Sequence, residues 1–305
     1  MSVARVRMYN KHPAMQARFA GVVTPSGEAL NWTGKINVVE DALLQPLRWK
    51  APRKIFVNSM SDLFHKNVTD ETIDRVLAVA ALCPQHTLQI LTKRSDRLPE
   101  YFHEERGFHV RMAYDAMFGR EVLANGWHWP LPNVWLGVSV EDQQRADERI
   151  PHLLRTPAAV RWLSCEPLLG AVNILKYLRG YGIGSEGVLR LPDNEVCPNW
   201  PIDWLVCGGE SGPNARPMHP QWARSLRDQC QAAGVPFFFK QWGEWAPSPD
   251  GGLPDALPMD NPKYFHYFDD PPCKVWRFGK KLAGRVLDGR TWDEFPALQE
   301  AAAAR

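Results

Sequence analysis

Six short, largely apolar runs constrain this chain more than any other feature. Each breaks off in a cluster of polar residues, and most are followed by a helical pattern. The runs are Lys54–Asn58, Thr87–Leu91, Val134–Val140, Val160–Ser164, Trp204–Cys207 and Val235–Phe239. Continuous rather than alternating hydrophobicity is expected of strands with both faces covered by helices. Alternation of such strands with helices predicts a parallel sheet with right-handed crossovers. A full or partial β/α barrel and an open doubly wound sheet both fit, and in both, ligands bind at the carboxyl ends of the strands.

The intervening segments support this α/β reading. Residues 69–82 read as an amphipathic helix capped by Thr69 or Asp70, with Ile73, Val76, Leu77 and Ala80 on one face and Pro84 as its stop. A second helix starts near Ser95, and a third covers Asp142–Leu154, with Pro151 kinking or ending it. The fourth runs over 220–233, with Trp222, Leu226 and Cys230 in one line and Gly234 as C-terminal cap. Residues 1–50 offer only turns at Pro25–Gly27 and Asn31–Gly34 and a short helix over Val39–Leu47. The expected organisation is a partial barrel over 1–245, with insertions at 103–132 (aromatic and basic) and 171–202 (Gly- and Pro-punctuated), then a C-terminal extension over 246–305. That extension carries loops near 247–252 and 269–272, a short strand at Val275–Phe278 and a fraying alanine run near Ala301.

Composition narrows the function classes. With 305 residues, 45% of them hydrophobic, the chain can bury a sizeable core. A net charge of +2 creates no global field that would favour nucleic acid or an anionic membrane. The longest apolar run, Val76–Cys83, is far short of the roughly 20 residues that span a bilayer, and Met1–Arg7 lacks the apolar centre of a secretion signal. The expectation is a cytoplasmic protein without a membrane partner. The cysteines at 83, 165, 197, 207, 230 and 273 show no Cys-x-x-Cys spacing and read as buried free thiols. The 13 tryptophans mostly flank apolar runs and read as core.

In order, the strand ends supply Ser59, Ser61, Asp62 and His65; Thr92, Lys93 and Arg94; Ser139, Glu141 and Asp142; Ser164 and Glu166; Glu210, Ser211 and Asn214; Lys240, Gln241 and Glu244. Strand ends meet solvent, so one polar cluster means little. Six of them converging on one rim form a pocket for a polar small molecule. Ser164–Pro167 and Gly208–Gly212 each place a carboxylate at a strand end, the second on a glycine turn whose amides suit an anion. No P-loop or G-x-G-x-x-G is present, and His65, His86 and His219 lack metal-ligand spacing and read as structural or solvated.

The stretches Phe56–His65, Leu91–Arg94, Val134–Asp142, Ser164–Gly170, Val206–Gly212, Phe238–Gly243 and Gly284–Arg290 resemble, in the same order, the phage-protein family named after gene products thirty-seven and sixty-eight. The resemblance runs from about residue 15 to residue 296. It implies a divergent radical S-adenosylmethionine-type protein of phage or prophage, built on a partial (β/α) barrel of parallel strands. It also implies S-adenosylmethionine and a [4Fe–4S] cluster as cofactors, a reductase as partner where the cluster is present, and an unknown substrate. Carried over, Ser59, Ser61, Asp62, Lys93, Ser139, Glu141 and Glu166 contact the cofactor, and Glu210 and Lys240 the substrate. Glu166, Glu210 and Lys240 are the candidate catalytic residues. The family's closely spaced cysteine triplet is absent from this sequence. By resemblance it would end just before Met8–His12, so the expectation is a missing N-terminal segment with the first barrel strand, and no cluster in the chain as it stands. Two other readings remain open. One is a cluster-free β/α-barrel hydrolase with Glu166 and Glu210 as acid and base. The other is a nucleic-acid-binding module using the Tyr101–Trp129 insertion through Arg106, Arg111 and Arg120.

Overall fold

The computed structural model describes residues 6, 15, 18–24, 29, 31–119, 126–178, 189–190, 196–197, 201–248, 264–268 and 272–297. The expected turn at Pro25–Gly27, the stretch Met8–His12, Arg120, Ala301 and most of 179–200 and of the loops near 249–252 and 269–271 lie outside these residues. Six strands form the main sheet: β1 (Lys54–Val57), β2 (Thr87–Thr92), β3 (Val134–Ser139), β4 (Val160–Cys165), β5 (Trp204–Gly208) and β6 (Phe237–Gln241). They lie side by side in chain order, and the sheet is the parallel, curled half-barrel of a partial β/α barrel. Parallel neighbours need crossovers, and longer helices lie on four of the five: α1 (Asp70–Leu82), α2 (Arg106–Phe118), α3 (Gln143–Leu154) and α4 (Pro220–Ala232). Contacts divide the chain into two compact units, Met1–Val134 and Trp135–Arg305. Among the described residues no helix is long and apolar enough to cross a membrane.

In the first unit, Thr69 caps α1 by accepting from the Thr72 amide, with Asp70 and Glu71 in the first turn, and Ile73, Leu77 and Ala80 bury its inner face. Its C-terminal end is closed from outside the helix. Asn133 Nδ2 donates to the carbonyls of Ala80, Cys83 and His86 at 2.9, 3.0 and 3.0 Å. The short helix near Ser95 spans Arg97–Tyr101. The 103–132 insertion contains α2, which sequence periodicity misses. Its buried positions are Arg106, Gly107, Val110 and Tyr114, while Phe108 and Met112 are exposed, so no apolar stripe marks the inner face. Gly107 permits the packing: a Cβ there would stand 2.8 Å from the Trp129 ring.

A buried charge network ties α1 to α2. Asp74 accepts from Tyr101 Oη at 2.6 Å and Arg106 Nη1 at 3.3 Å, and Asp70 accepts from Arg106 Nη2 at 2.9 Å and Arg97 Nη2 at 2.7 Å. Burial and the Asp74 carboxylate both push the Tyr101 hydroxyl far up, so it stays a donor.

In the second unit the strands are buried along their whole length from β3 to β5. In this core Trp204 meets Trp135 edge-on and Trp162 at a tilt, and Trp162 covers Gly137, where a Cβ would stand 2.4 Å from its ring. Helix α3 runs through Pro151 to Leu154 rather than stopping there. Pro151 has no N–H to give to the carbonyl of residue 147, but its own carbonyl still accepts from Arg155 N at 3.2 Å. Strand β6 begins two residues later than the sequence suggests and extends to Gln241. Pro236 cannot donate, although its carbonyl takes the Leu205 amide at 3.1 Å. The outer edge of β6 is covered by the chain's own C-terminal part. Phe239 N donates to Trp292 O at 2.9 Å, and Phe238 bridges Asp293 in antiparallel sense. That segment turns at Asp288–Gly289, both at positive φ as a two-residue hairpin demands, and Asp288 pairs with Arg224 and Arg227 of α4. Beyond β6, β7 (Trp245–Pro247), β8 (Tyr264–Tyr267) and β9 (Cys273–Arg277) form an antiparallel sheet in the order β8-β9-β7.

Asp74 and Arg106 are 10% and 9% exposed in their side chains, so removing one leaves the other charged and buried. Asp74→Ala should cost about 3 kcal/mol or more in urea unfolding. A change under about 1 kcal/mol would show the network to be solvated.

Candidate functional site

The first unit brings Ser59, Ser61, Asp62 and Lys93 to the carboxyl ends of β1 and β2. Asn58 adopts positive φ directly after β1, and the turn closes with Ser61 N on Asn58 O at 3.0 Å. Ser59 and Ser61 are exposed. Asp62 accepts from Phe64 N and Thr92 Oγ1 on one oxygen, at 2.9 and 2.8 Å, and from Lys93 N and Arg94 Nη1 on the other, at 3.1 and 2.8 Å. Both lone-pair directions of each oxygen are engaged, so Asp62 acts as a clasp between the two strand ends. His65 follows one turn later. Burial and the Arg94 cation lower its pKa, holding the ring neutral, and its Nδ1 accepts from Asn67 N at 3.2 Å.

The second unit brings Ser139, Glu141, Glu166, Glu210 and Lys240 to the ends of β3 to β6. Glu141 is buried and accepts from Arg149 Nη1 at 3.0 Å, and the same nitrogen donates to Ser139 O at 2.9 Å. Glu166 follows β4. Its Oε2 accepts from Lys240 Nζ at 2.7 Å and its Oε1 from Gln241 Nε2 at 3.0 Å. Gln241 Nε2 also reaches Ser211 Oγ at 3.1 Å and Gly209 O at 3.4 Å, so one amide links the ends of β4, β5 and β6. Sequence reasoning named Gln241 only as part of a polar cluster. The signal for its role is its position in β6, opposite Gly208 in the register.

Beyond the strand ends, the β5 and β6 loops continue backbone to backbone. Gly209 N donates to Gln241 O at 2.9 Å, and Glu244 N donates to Glu210 O at 2.9 Å. A Cβ on Gly209 would lie 1.9 Å from Trp242 O, and one on Gly243 (φ +83) would lie 2.1 Å from Glu210 O. Only glycine admits this approach. It fixes Glu210, whose Oε2 accepts from Arg216 N and Nε at 2.8 Å each and whose Oε1 accepts from Arg216 Nη2 at 2.9 Å. The Arg216 guanidinium holds the Glu210 carboxyl below its usual value of 4.5. Glu166 and Glu210 therefore do not face each other as a bare carboxylate pair: each is held by its own cation.

Among the described residues no group of three or more His, Cys, Asp or Glu side chains could hold a metal ion. Burial raises the thiols of Cys165, Cys207 and Cys230, as expected of core cysteines. The described residues thus offer no ligand set for an iron–sulfur cluster. His86, fully buried, accepts from Arg53 N at 3.2 Å and lies 3.1 Å from Pro46 O, and His219 caps α4 by accepting from Gln221 N at 3.0 Å. In the insertion, Arg106 lies in the α1–α2 network and Arg111 pairs with Asp115 at 2.9 Å.

A partial β/α barrel with polar, ion-paired strand ends is the class that fold and site define. The chain belongs to the family described as protein of unknown function, DUF5131, whose sequence model matches residues 5–296. Searches of curated proteins and of solved structures give no match.

Two outcomes are expected from the loop geometry. Gly209→Ala forces backbone apart and should cost about 3 kcal/mol or more in thermal or urea unfolding. In Arg216→Gln, Glu210 loses the partner that lowers its pKa. The wild-type stabilisation is full above the unfolded-state pKa and lost as pH falls through the lower folded one. Wild type should therefore shed stability more steeply than Arg216→Gln as pH drops below about 4.5, measured as Tm against pH. Parallel curves would show that the pair makes no contribution.

Proposed function

We propose that this chain is a half-barrel protein of the radical S-adenosylmethionine type, of phage or prophage origin and acting in the cytoplasm. It binds S-adenosylmethionine at the carboxyl ends of β3 and β4 and a polar substrate over the ends of β5 and β6. The observation that carries this reading is Glu166: a carboxylate at a strand end, held on both oxygens yet 17% exposed in its side chain. A carboxylate so placed suits the ammonium group or ribose hydroxyls of the cofactor. Ser139 and Glu141 stand one strand away, at the end of β3. The described residues supply no ligands for a cluster, so the chain as it stands is read as holding the cofactor without one.

The hydrolase reading has less support. Arg216 keeps Glu210 ionised, whereas a general acid needs a raised pKa. The nucleic-acid reading has less support too, since Arg106 is buried between α1 and α2 and Arg111 is largely covered and turned to Asp115 of its own helix.

Calorimetric titration of the full chain with S-adenosylmethionine tests the proposal. Binding is expected, weakened about tenfold or more in Glu166→Gln, which keeps the side-chain size and removes the charge. Absence of binding, or equal affinity in the variant, sinks it.

A further inference from the structure

Around the ends of β4, β5 and β6 the carboxylates lie inside and the cations outside. Lys240 is 51% exposed and its partner Glu166 17%, while Arg216 is 59% exposed and its partner Glu210 25%. The third pair, Glu141 with Arg149, is closed on both sides at 11% and 9%.

The two open pairs belong to one connected structure. From Lys240 the contacts run through Glu166 to Gln241 and on to Ser211, and Ser211 is the chain neighbour of Glu210, which holds Arg216. The glycine-permitted pairing of the two loops fixes this path at its centre.

A long cationic side chain is mobile on an open surface, and ordering it costs binding energy. Here each cation is ordered beforehand. Glu210 takes Nε and Nη2 of Arg216, leaving Nη1 without a partner among the described residues, and Glu166 takes one donor direction of the Lys240 ammonium. The outward groups are therefore oriented donors, and each carboxylate oxygen beneath them already accepts at least one hydrogen bond.

The geometry points to an anion site: a small ligand with two negative charges, carboxylate or phosphoryl, bridging Lys240 and Arg216, with Glu166 and Glu210 holding the two cations in place. This names the substrate class of the proposed ligand rim and rests on that rim being the ligand site.

The probe is inorganic pyrophosphate, titrated calorimetrically into the full chain at low ionic strength. Lys240→Gln and Arg216→Gln should each weaken binding about tenfold or more. Lys240→Arg, which keeps the charge, should retain it. Lys274→Gln, which removes one positive charge on β9, should bind as wild type does. If Lys274→Gln weakens binding as much as the rim variants, net charge accounts for it and the site is overturned. If Lys240→Gln and Arg216→Gln bind like wild type, or wild type does not bind, it is overturned as well. S-adenosylmethionine is titrated in parallel. Cofactor binding that depends on Glu166, alongside pyrophosphate binding indifferent to both cations, overturns the anionic substrate class alone. Pyrophosphate binding that depends on both cations, without cofactor binding, sustains the anion site and sinks the radical-type reading.

Discussion

A carboxylate at the end of a buried strand must be met by donors, and that requirement organises the strand ends of this protein. Asp62, Glu141, Glu166 and Glu210 each sit where a strand leaves the core, and each is answered by a guanidinium or an ammonium. A charge taken out of water without a partner costs several kcal/mol, so the loops arrange themselves around these pairs. Asp62 clasps β1 to β2, and Glu166 with Gln241 clasps β4 to β5 and β6. The same interactions that close the fold at these ends therefore decide which groups face outward.

The glycines at 209 and 243 are the second constraint, and they act on the first. Two backbones approach until a single methyl group on either would overlap a carbonyl oxygen. That approach brings Glu210 beside Glu244 N and keeps Ser211 within reach of Gln241. Side chains at this rim are thus held by backbone geometry as well as by charge. Such rigidity suits a site that must present oriented donors.

Much of this was legible in the residues. Continuous apolar runs such as Val134–Val140 and Val160–Ser164 announce strands covered on both faces, and both are buried at every position. Helices α1 and α4 carry a cap and an apolar stripe, and both appear where these signals lie. Helix α2 was not legible, because its inner face is made of Arg106, Gly107, Val110 and Tyr114 while Phe108 points outward. Its burial rests on charge pairing with Asp70 and Asp74, which no local pattern reveals. The edge of β6 was equally hidden: its partner is Trp292–Glu294, more than fifty residues away.

The sequence by itself determined the class of fold and the identity of the polar residues at the strand ends. Both follow from local information, namely the period of hydrophobicity and the points where it stops. Only the tertiary structure decided which of those residues meet. It joined Glu166 to Lys240 and Glu210 to Arg216, and it put Gln241 at the centre. Glu166 and Lys240 are separated by 74 residues in the chain, and their contact depends on the sheet order β4-β5-β6 that packing imposes. Pairing of that range is a property of the folded state, because chain entropy opposes it until the core has formed around it.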